Sequence, residues 1–201
     1  YEAEYYEIAL QEWETFAKDG NAGAQHNLGQ IYRRGQGVPK NDKTAAKWYR
    51  LAADQGNAYA QNNLGVMYKD GKGVSRNYDT ALKWYRLAAD QENALAQHNL
   101  ALMYKDGKGV PQNEKTAVKW YELAAKQGII NAQYNLGIRY NKGRGVPQNY
   151  KTAMKWYKLA ADQGDARAQF NLGLMYDLGQ GIPRNYVIAL KWYRRAADQG
   201  N

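Results

Sequence analysis

The sequence predicts an all-α chain of stacked antiparallel helix pairs. Three observations predict it: a 36-residue internal period, apolar stripes at helical spacing within each period, and glycine and proline breaks between the stripes. Tryptophan stands at Trp48, Trp84, Trp120, Trp156 and Trp192, each followed by a tyrosine (Tyr49, Tyr85, Tyr121, Tyr157, Tyr193). Asn-Leu pairs begin at 27, 63, 99, 135 and 171 in the same register. So do Gly-x-Gly pairs at Gly35/Gly37, Gly71/Gly73, Gly107/Gly109, Gly143/Gly145 and Gly179/Gly181.

Taken in order, the elements begin with one helix near residues 5–19. Glu12 holds its tryptophan position and Trp13 its tyrosine position, so its outer face is more polar, as suits a capping segment over 1–21. The first helix of each repeat, helix A, is expected near 22–34, 58–70, 94–106, 130–142 and 166–178. In the second repeat Ala60, Leu64, Met67 and Tyr68 make its stripe at i, i+4, i+7 and i+8. Gly71 and Gly73 end it, and the connector that follows carries Pro39, Pro111, Pro147 or Pro183 in the other repeats, which blocks continuation. Asn77 sits where an N-cap is wanted, and Ala81, Tyr85 and Ala88 stripe the second helix, helix B. Gly56, Gly128 and Gly164 follow helix B, suited to a left-handed cap, and Asn57 is placed to cap the next helix A. The count is 11 helices in five repeats (22–57, 58–93, 94–129, 130–165, 166–201), expected as one continuous domain.

Gly65 and its counterparts Gly29, Gly137 and Gly173 fall on the apolar side of helix A, where a missing side chain permits close crossing. Three copies depart from the pattern. Ala101 replaces that glycine, a small shift. Glu92 replaces the capping glycine, at about 1 kcal/mol if the left-handed backbone is kept. Ile129-Ile130 replaces Asn-Ala at a junction, either repacked locally or left as an exposed contact. Gly200-Asn201 falls where another helix A would start. The natural protein is therefore expected to continue, or another molecule to cover Trp192 and Tyr193.

Composition excludes several function classes. At 44% hydrophobic and 23% charged the chain is ordinary globular protein, and its apolar runs are far below the roughly 20 residues that span a bilayer. No membrane insertion is expected. The chain has no cysteine, so disulfides, thiolate metal sites and cysteine nucleophiles are absent. A net charge of +9 favours acidic partners, but the 28 basic residues are interleaved with 19 acidic ones and no recognition-helix signature exists, which weighs against nucleic acid. The sequence opens at Tyr1 without a basic-then-apolar leader, so a leader has been removed or the sequence is an excised piece.

Catalysis needs convergent acid, base, nucleophile or metal groups, and the residues offer few. His26 and His98 occupy one repeat position two repeats apart, on the order of 20 Å by helix spacing, too far to share a metal. Asp70-Gly-Lys-Gly and Asp106-Gly-Lys-Gly lack the other ligands of a calcium or phosphate loop. Asp54, Asp90 and Asp162 recur with the repeat at the end of helix B and read as structural. No catalytic residue, metal or cofactor is expected.

Segments such as Ala58-Tyr-Ala-Gln-Asn-Asn-Leu-Gly-Val-Met-Tyr68, Asp70-Gly-Lys-Gly-Val74 and Ala81-Leu-Lys-Trp-Tyr-Arg-Leu-Ala-Ala89 resemble Sel1-like repeats, relatives of tetratricopeptide repeats with a longer loop between the two helices. The resemblance covers essentially the whole chain. It implies a right-handed α/α solenoid that is a non-enzymatic scaffold or adaptor, bacterial and periplasmic or secreted, with A helices lining a concave groove. In tetratricopeptide repeats the matching asparagine contacts peptides. Here that residue is Asn27, Asn63, Asn99, Asn135 and Asn171, which serves either a peptide backbone or the stability of the repeat.

The groove face is also located by period, at the second, fifth, ninth and twelfth positions of helix A, opposite the core stripe. The fifth reads His26, Asn62, His98, Tyr134 and Phe170; the ninth Gln30, Val66, Leu102, Ile138 and Leu174; the twelfth Arg33, Lys69, Lys105, Asn141 and Asp177. Apolar character rises toward the C-terminal half and basic character toward the other, so a protein or peptide with acidic and hydrophobic parts suits it. Tyr59, Arg167, Tyr134 and Phe170 vary between copies and are candidates for specificity. Two other readings remain open. One is a structural subunit of a cell-envelope or motor complex, self-associating through the Trp192 end. The other is a cell-wall carbohydrate binder using the groove aromatics.

Overall fold

Four of the five 13-residue A helices run from an Asn or Asp cap, and all five end at a left-handed glycine, so their length follows from two local devices at fixed spacing. The computed structural model describes residues 2–199, with side chains described from Leu10 onward. Among the described residues there are 11 helices and no strand. They are α1 (Glu2–Lys18), α2 (Ala22–Arg34), α3 (Asp42–Asp54), α4 (Ala58–Asp70), α5 (Tyr78–Asp90), α6 (Ala94–Asp106), α7 (Glu114–Lys126), α8 (Ile130–Lys142), α9 (Tyr150–Asp162), α10 (Ala166–Leu178) and α11 (Tyr186–Ala197). The five A helices occupy their expected spans. Helix α1 begins earlier than expected because nothing between residues 2 and 18 is glycine or proline. The site expected for a further helix A, Gly200-Asn201, lies outside the described residues.

The caps are formed. Asn57 accepts a hydrogen bond from the Ala60 amide (2.9 Å), Asn77 from Thr80 (2.8 Å) and Asn149 from Thr152 (2.9 Å), each contributing about 1 kcal/mol. Ile129 occupies a cap position with the usual extended backbone but no side-chain hydrogen bond. It packs instead against the core with Trp120 and Tyr140, while Ile130 joins the cluster around Tyr157, so the Ile129-Ile130 pair is repacked locally. Glu92 keeps the left-handed backbone of its glycine counterparts, at φ 61°.

The chain divides into two compact units, Tyr1–Ala96 with Lys108–Pro111, and Gln97–Gly107 with Gln112–Asn201. In the first, α1 to α5 pack consecutively, as in an α-solenoid. Its core joins Ala45, Tyr49, Ala52, Ala60, Leu64, Met67 and Trp84. In the second, α7 to α11 pack consecutively, with cores around Tyr121 and Leu136 and around Tyr157 and Leu172. Burying each such large side chain contributes about 1.5–3 kcal/mol. The predicted close crossing is present: a Cβ on Gly65 would lie 2.7 Å from the Tyr85 ring. Gly73 is tighter still, since a Cβ there would meet the Asp42 carbonyl at 2.1 Å.

One recurring polar element was not anticipated. The fourth residue of helix A is a buried glutamine whose amide donates to a carbonyl at the end of the preceding helix B: Gln25 to Ala17 (3.0 Å), Gln61 to Ala53 (3.1 Å), Gln133 to Ala125 (3.1 Å) and Gln169 to Ala161 (3.2 Å). Its oxygen accepts from the glutamine 30 residues on, as in Gln55 to Gln25 (2.7 Å) and Gln163 to Gln133 (2.8 Å). Three helices are thereby tied at one point, at a helix-end carbonyl that also accepts a turn amide, as Ala53 does from Gly56 (3.0 Å).

Candidate functional site

Residues on helix A that avoid the core define the open face, and the fifth position is shared between that face and a helix-B tyrosine. It lies one turn before the close-crossing glycine. The helix-B tyrosine that enters over that glycine therefore also meets the fifth side chain. His26 packs on Tyr49 with ring centroids 5.8 Å apart, His98 on Tyr121 (5.9 Å), Tyr134 on Tyr157 (6.0 Å) and Phe170 on Tyr193 (5.4 Å). Asn62, at the same position, is buried. Only Phe170 keeps about half its surface in solvent.

The other expected positions divide. At the second position Tyr59, Leu95 and Arg167 are exposed. At the ninth Leu102, Ile138 and Leu174 are half-buried, Leu102 and Ile138 against the second unit's clusters. At the twelfth Lys69 pairs with Asp70 (3.2 Å) and Lys105 with Asp106 (2.9 Å), whereas Arg33 meets no carboxylate at ion-pair distance among the described residues. Arg167 is held by Asp165 (2.5 Å) and Asn131 (2.7 Å) and lies 4.3 Å over the Tyr134 ring.

The recurring asparagines, all half-buried, do not share one geometry. Asn135 and Asn171 donate to carbonyls one turn back on their own helices, Asn131 (2.8 Å) and Arg167 (2.9 Å). Asn63 donates to Nε2 of His26 (3.1 Å), and Asn27 also hydrogen-bonds His26. Asn99 lies at the same register of α6.

In the first unit polar groups converge on a cavity of about 420 Å³, walled by His26, Gln30, Arg33 and Arg34 of α2, Tyr49 of α3, Tyr59, Asn62 and Asn63 of α4, and Leu95 at the start of α6. The last turn of α2 brings both arginines there, next to the cap at Gly35. Gln30 and Asn63 both place amide nitrogens 3.1 Å from His26 Nε2, so that nitrogen accepts and the ring is neutral. Burial pushes His26 below its ordinary pKa, against the Asn27 hydrogen bond that raises it. Burial pushes the Tyr49 phenol up, with the adjacent Arg33 acting the other way. The cavity wall thus offers donors and positive charge and no carboxylate.

A second concavity, about 350 Å³, lies on α11 among Ile188, Lys191, Trp192, Arg194 and Arg195. Among the described residues no three of His, Asp and Glu gather as a metal site, and no helix is long and apolar enough to cross a membrane.

The period places apolar groove character in the C-terminal half and does not place Arg34, Tyr49 and Leu95 in the groove. A signal was present: Arg33-Arg34 is the one helix-A ending with adjacent arginines, against Lys69-Asp70, Lys105-Asp106, Asn141-Lys142 and Asp177-Leu178.

Solved structures of similar chains support the fold. A protective antigen of uropathogenic Escherichia coli with an SLR fold superposes at TM-score 0.91 with 37% identity, over 96% of this chain and 41% of that one. This chain therefore spans about two fifths of that antigen's length. A Sel1 repeat protein of Oxalobacter formigenes superposes at 0.90 with 39% identity, over 99% and 82% of the two chains. An immunity protein of Pseudomonas aeruginosa, 22% identical over 94% of this chain and 72% of that one at TM-score 0.59, shares the fold alone. A search of curated proteins returns no match. Sel1 repeat proteins are generally interaction scaffolds without catalytic activity. The Sel1 repeat itself matches residues 22–57, 58–93, 94–129, 130–165 and 166–201, and with helix pairs, caps and close crossings recurring at that period, this chain belongs to the Sel1 repeat family.

Proposed function

We propose that this protein is an interaction scaffold that holds an extended segment of a protein partner along its A helices, with a cluster of contacts at the cavity of the first unit. The observation that carries this reading is that cavity: about 420 Å³, lined by two arginines with no acidic residue among the lining, and rimmed by exposed Tyr59 and Leu95. Its size falls within the roughly 300–1,000 Å³ of ligand sites, and a wet polar floor with an apolar rim suits a peptide better than a small apolar molecule. Asn63 and Asn27, the half-buried ninth positions Leu102, Ile138 and Leu174, and the second-unit residues Tyr134, Phe170 and Arg167 extend the candidate surface within each unit.

The test is affinity capture from extract of the native host with mass spectrometry, comparing the protein with a Tyr59→Ser/Leu95→Ser variant matched for helicity by circular dichroism. Both side chains are exposed, so folding is expected to survive their replacement. A partner retained by the first and lost by the second supports the scaffold reading. Partners identical for both overturn it.

A second reading rests on α11. Leu190 is 50% exposed where its counterparts Leu82 and Val118 are buried, which supports assembly through that face. A Leu190→Glu variant that leaves the sedimentation coefficient unchanged, in a protein that sediments as a monomer, rejects it.

A further inference from the structure

We propose that the first-unit cavity is a carboxylate-binding subsite, in which Arg33 and Arg34 pair with a peptide carboxylate while Tyr59 and Leu95 receive the apolar side chain beside it. This rests on the scaffold reading and names the chemistry of its ligand. Three features of the cavity carry it.

The first is charge. Two guanidinium groups from consecutive residues border one cavity, and none of its lining residues is acidic. The equivalent lysines of the next two repeats are already paired with Asp70 and Asp106. Arginine forks match the two oxygens of a carboxylate, and such charge-assisted bonds are roughly twice as strong as neutral ones. The second is the set of neutral donors. Asn63 and Gln30, whose amides meet His26, line the same space, so a carboxylate that enters loses water but meets amide N–H groups not fully used by the imidazole. The third is the rim. Tyr59 and Leu95, 65% and 51% exposed, stand one repeat apart at the same helix-A position beside the charged floor. That juxtaposition of an apolar surface and a cationic pocket fits an acidic group next to an aliphatic residue.

His26 reports on occupancy. It faces Tyr49 of α3 and Tyr59 of α4, with Arg33 and Arg34 on its own helix, and Asp42 of α3 acts on Tyr49 from behind. Burial disfavours the imidazole as a cation. An entering carboxylate lowers the local positive charge and raises its pKa. His98, in the second unit, serves as the internal reference.

The experiment uses three fluorescently labelled hexapeptides: one with an internal Glu-Leu and an amidated end, one neutral with a C-terminal leucine carboxylate, and one amidated with Gln-Leu. Binding is read by anisotropy, and His26 and His98 are titrated by NMR with and without peptide. We expect one of the two carboxylate peptides to bind more tightly than the neutral one. Which one binds identifies the source of the carboxylate. Arg33→Gln/Arg34→Gln is expected to weaken it at least about tenfold, the loss of one good charge-assisted contact. Lys142→Gln/Arg144→Gln, which removes the same charge from exposed positions, leaves it unchanged. Arg34→Gln alone, at an exposed position, replaces the double variant if that one loses helicity.

The proposal is overturned if neither carboxylate peptide binds better than the neutral one, if the arginine variants bind as the parent does, or if peptide leaves the His26 titration where it was. A partner captured through Tyr59 and Leu95 that survives loss of both arginines overturns the carboxylate subsite and leaves the scaffold standing. Capture of the same partners by the protein and by Tyr59→Ser/Leu95→Ser overturns the scaffold itself.

Discussion

At Glu92 the repeat demands a backbone that its side chain disfavours. Among the described residues it is the one non-glycine with positive φ, at 61°, and it stands where Gly56, Gly128 and Gly164 adopt 90°, 87° and 92°. Left-handed backbone costs an ordinary residue roughly 1–2 kcal/mol, and glycine returns part of that through its freer unfolded chain. Glu92→Gly is therefore expected to stabilise the protein by about 1 kcal/mol, read as a higher midpoint in urea with an unchanged slope. Arg139 is a residue-scale departure of another kind. It takes the buried place held by Ile31, Met67, Met103 and Met175, and is compensated by Glu114 at 3.1 Å. The sequence displays the substitution, but only the packing of α8 against α7 shows that its partner sits at the start of the preceding helix B.

Within an element the same sequence signs act at different strengths. Asparagine caps and glycine stops were legible because each needs only its neighbours three or four residues away. The glutamine ties were not, although Ala-Gln recurs at 24–25, 60–61, 96–97, 132–133 and 168–169, because their partners lie on two other helices. Removing one tests their weight. Gln133→Ala removes its bonds to the Ala125 carbonyl, which keeps the Gly128 amide, and to the Gln163 amide, which keeps the Leu159 carbonyl, and is expected to cost about 0.5–1.5 kcal/mol in thermal or urea unfolding, with helicity at low temperature preserved. A loss near zero would mean that water replaces the amide. The fifth position of helix A illustrates the limit of a period-based reading. Its angle on the wheel suggests an open face, yet glycine three residues later admits a tyrosine that packs against it.

For the molecule as a whole, the titration of His26 couples folding to pH. Its folded-state pKa lies below the ordinary 6.5, chiefly through burial. The unfolded chain therefore takes up the proton first as pH falls. The stability contributed by the neutral ring is complete above 6.5, declines below it, and levels off once the folded protein also protonates. Measured across that interval, the urea midpoint of the protein should fall more steeply than that of His26→Gln. Parallel curves would show that His26 is as easily protonated folded as unfolded. What the sequence by itself determined is the period, the helix spans, the caps and the glycine crossings, because those depend on contacts short in sequence or repeated identically. What the tertiary structure alone decided is which face stays open and where charge is left unpaired. Those depend on the approach of a tyrosine to a glycine and on an arginine having no carboxylate within reach, distances that no single helix sets.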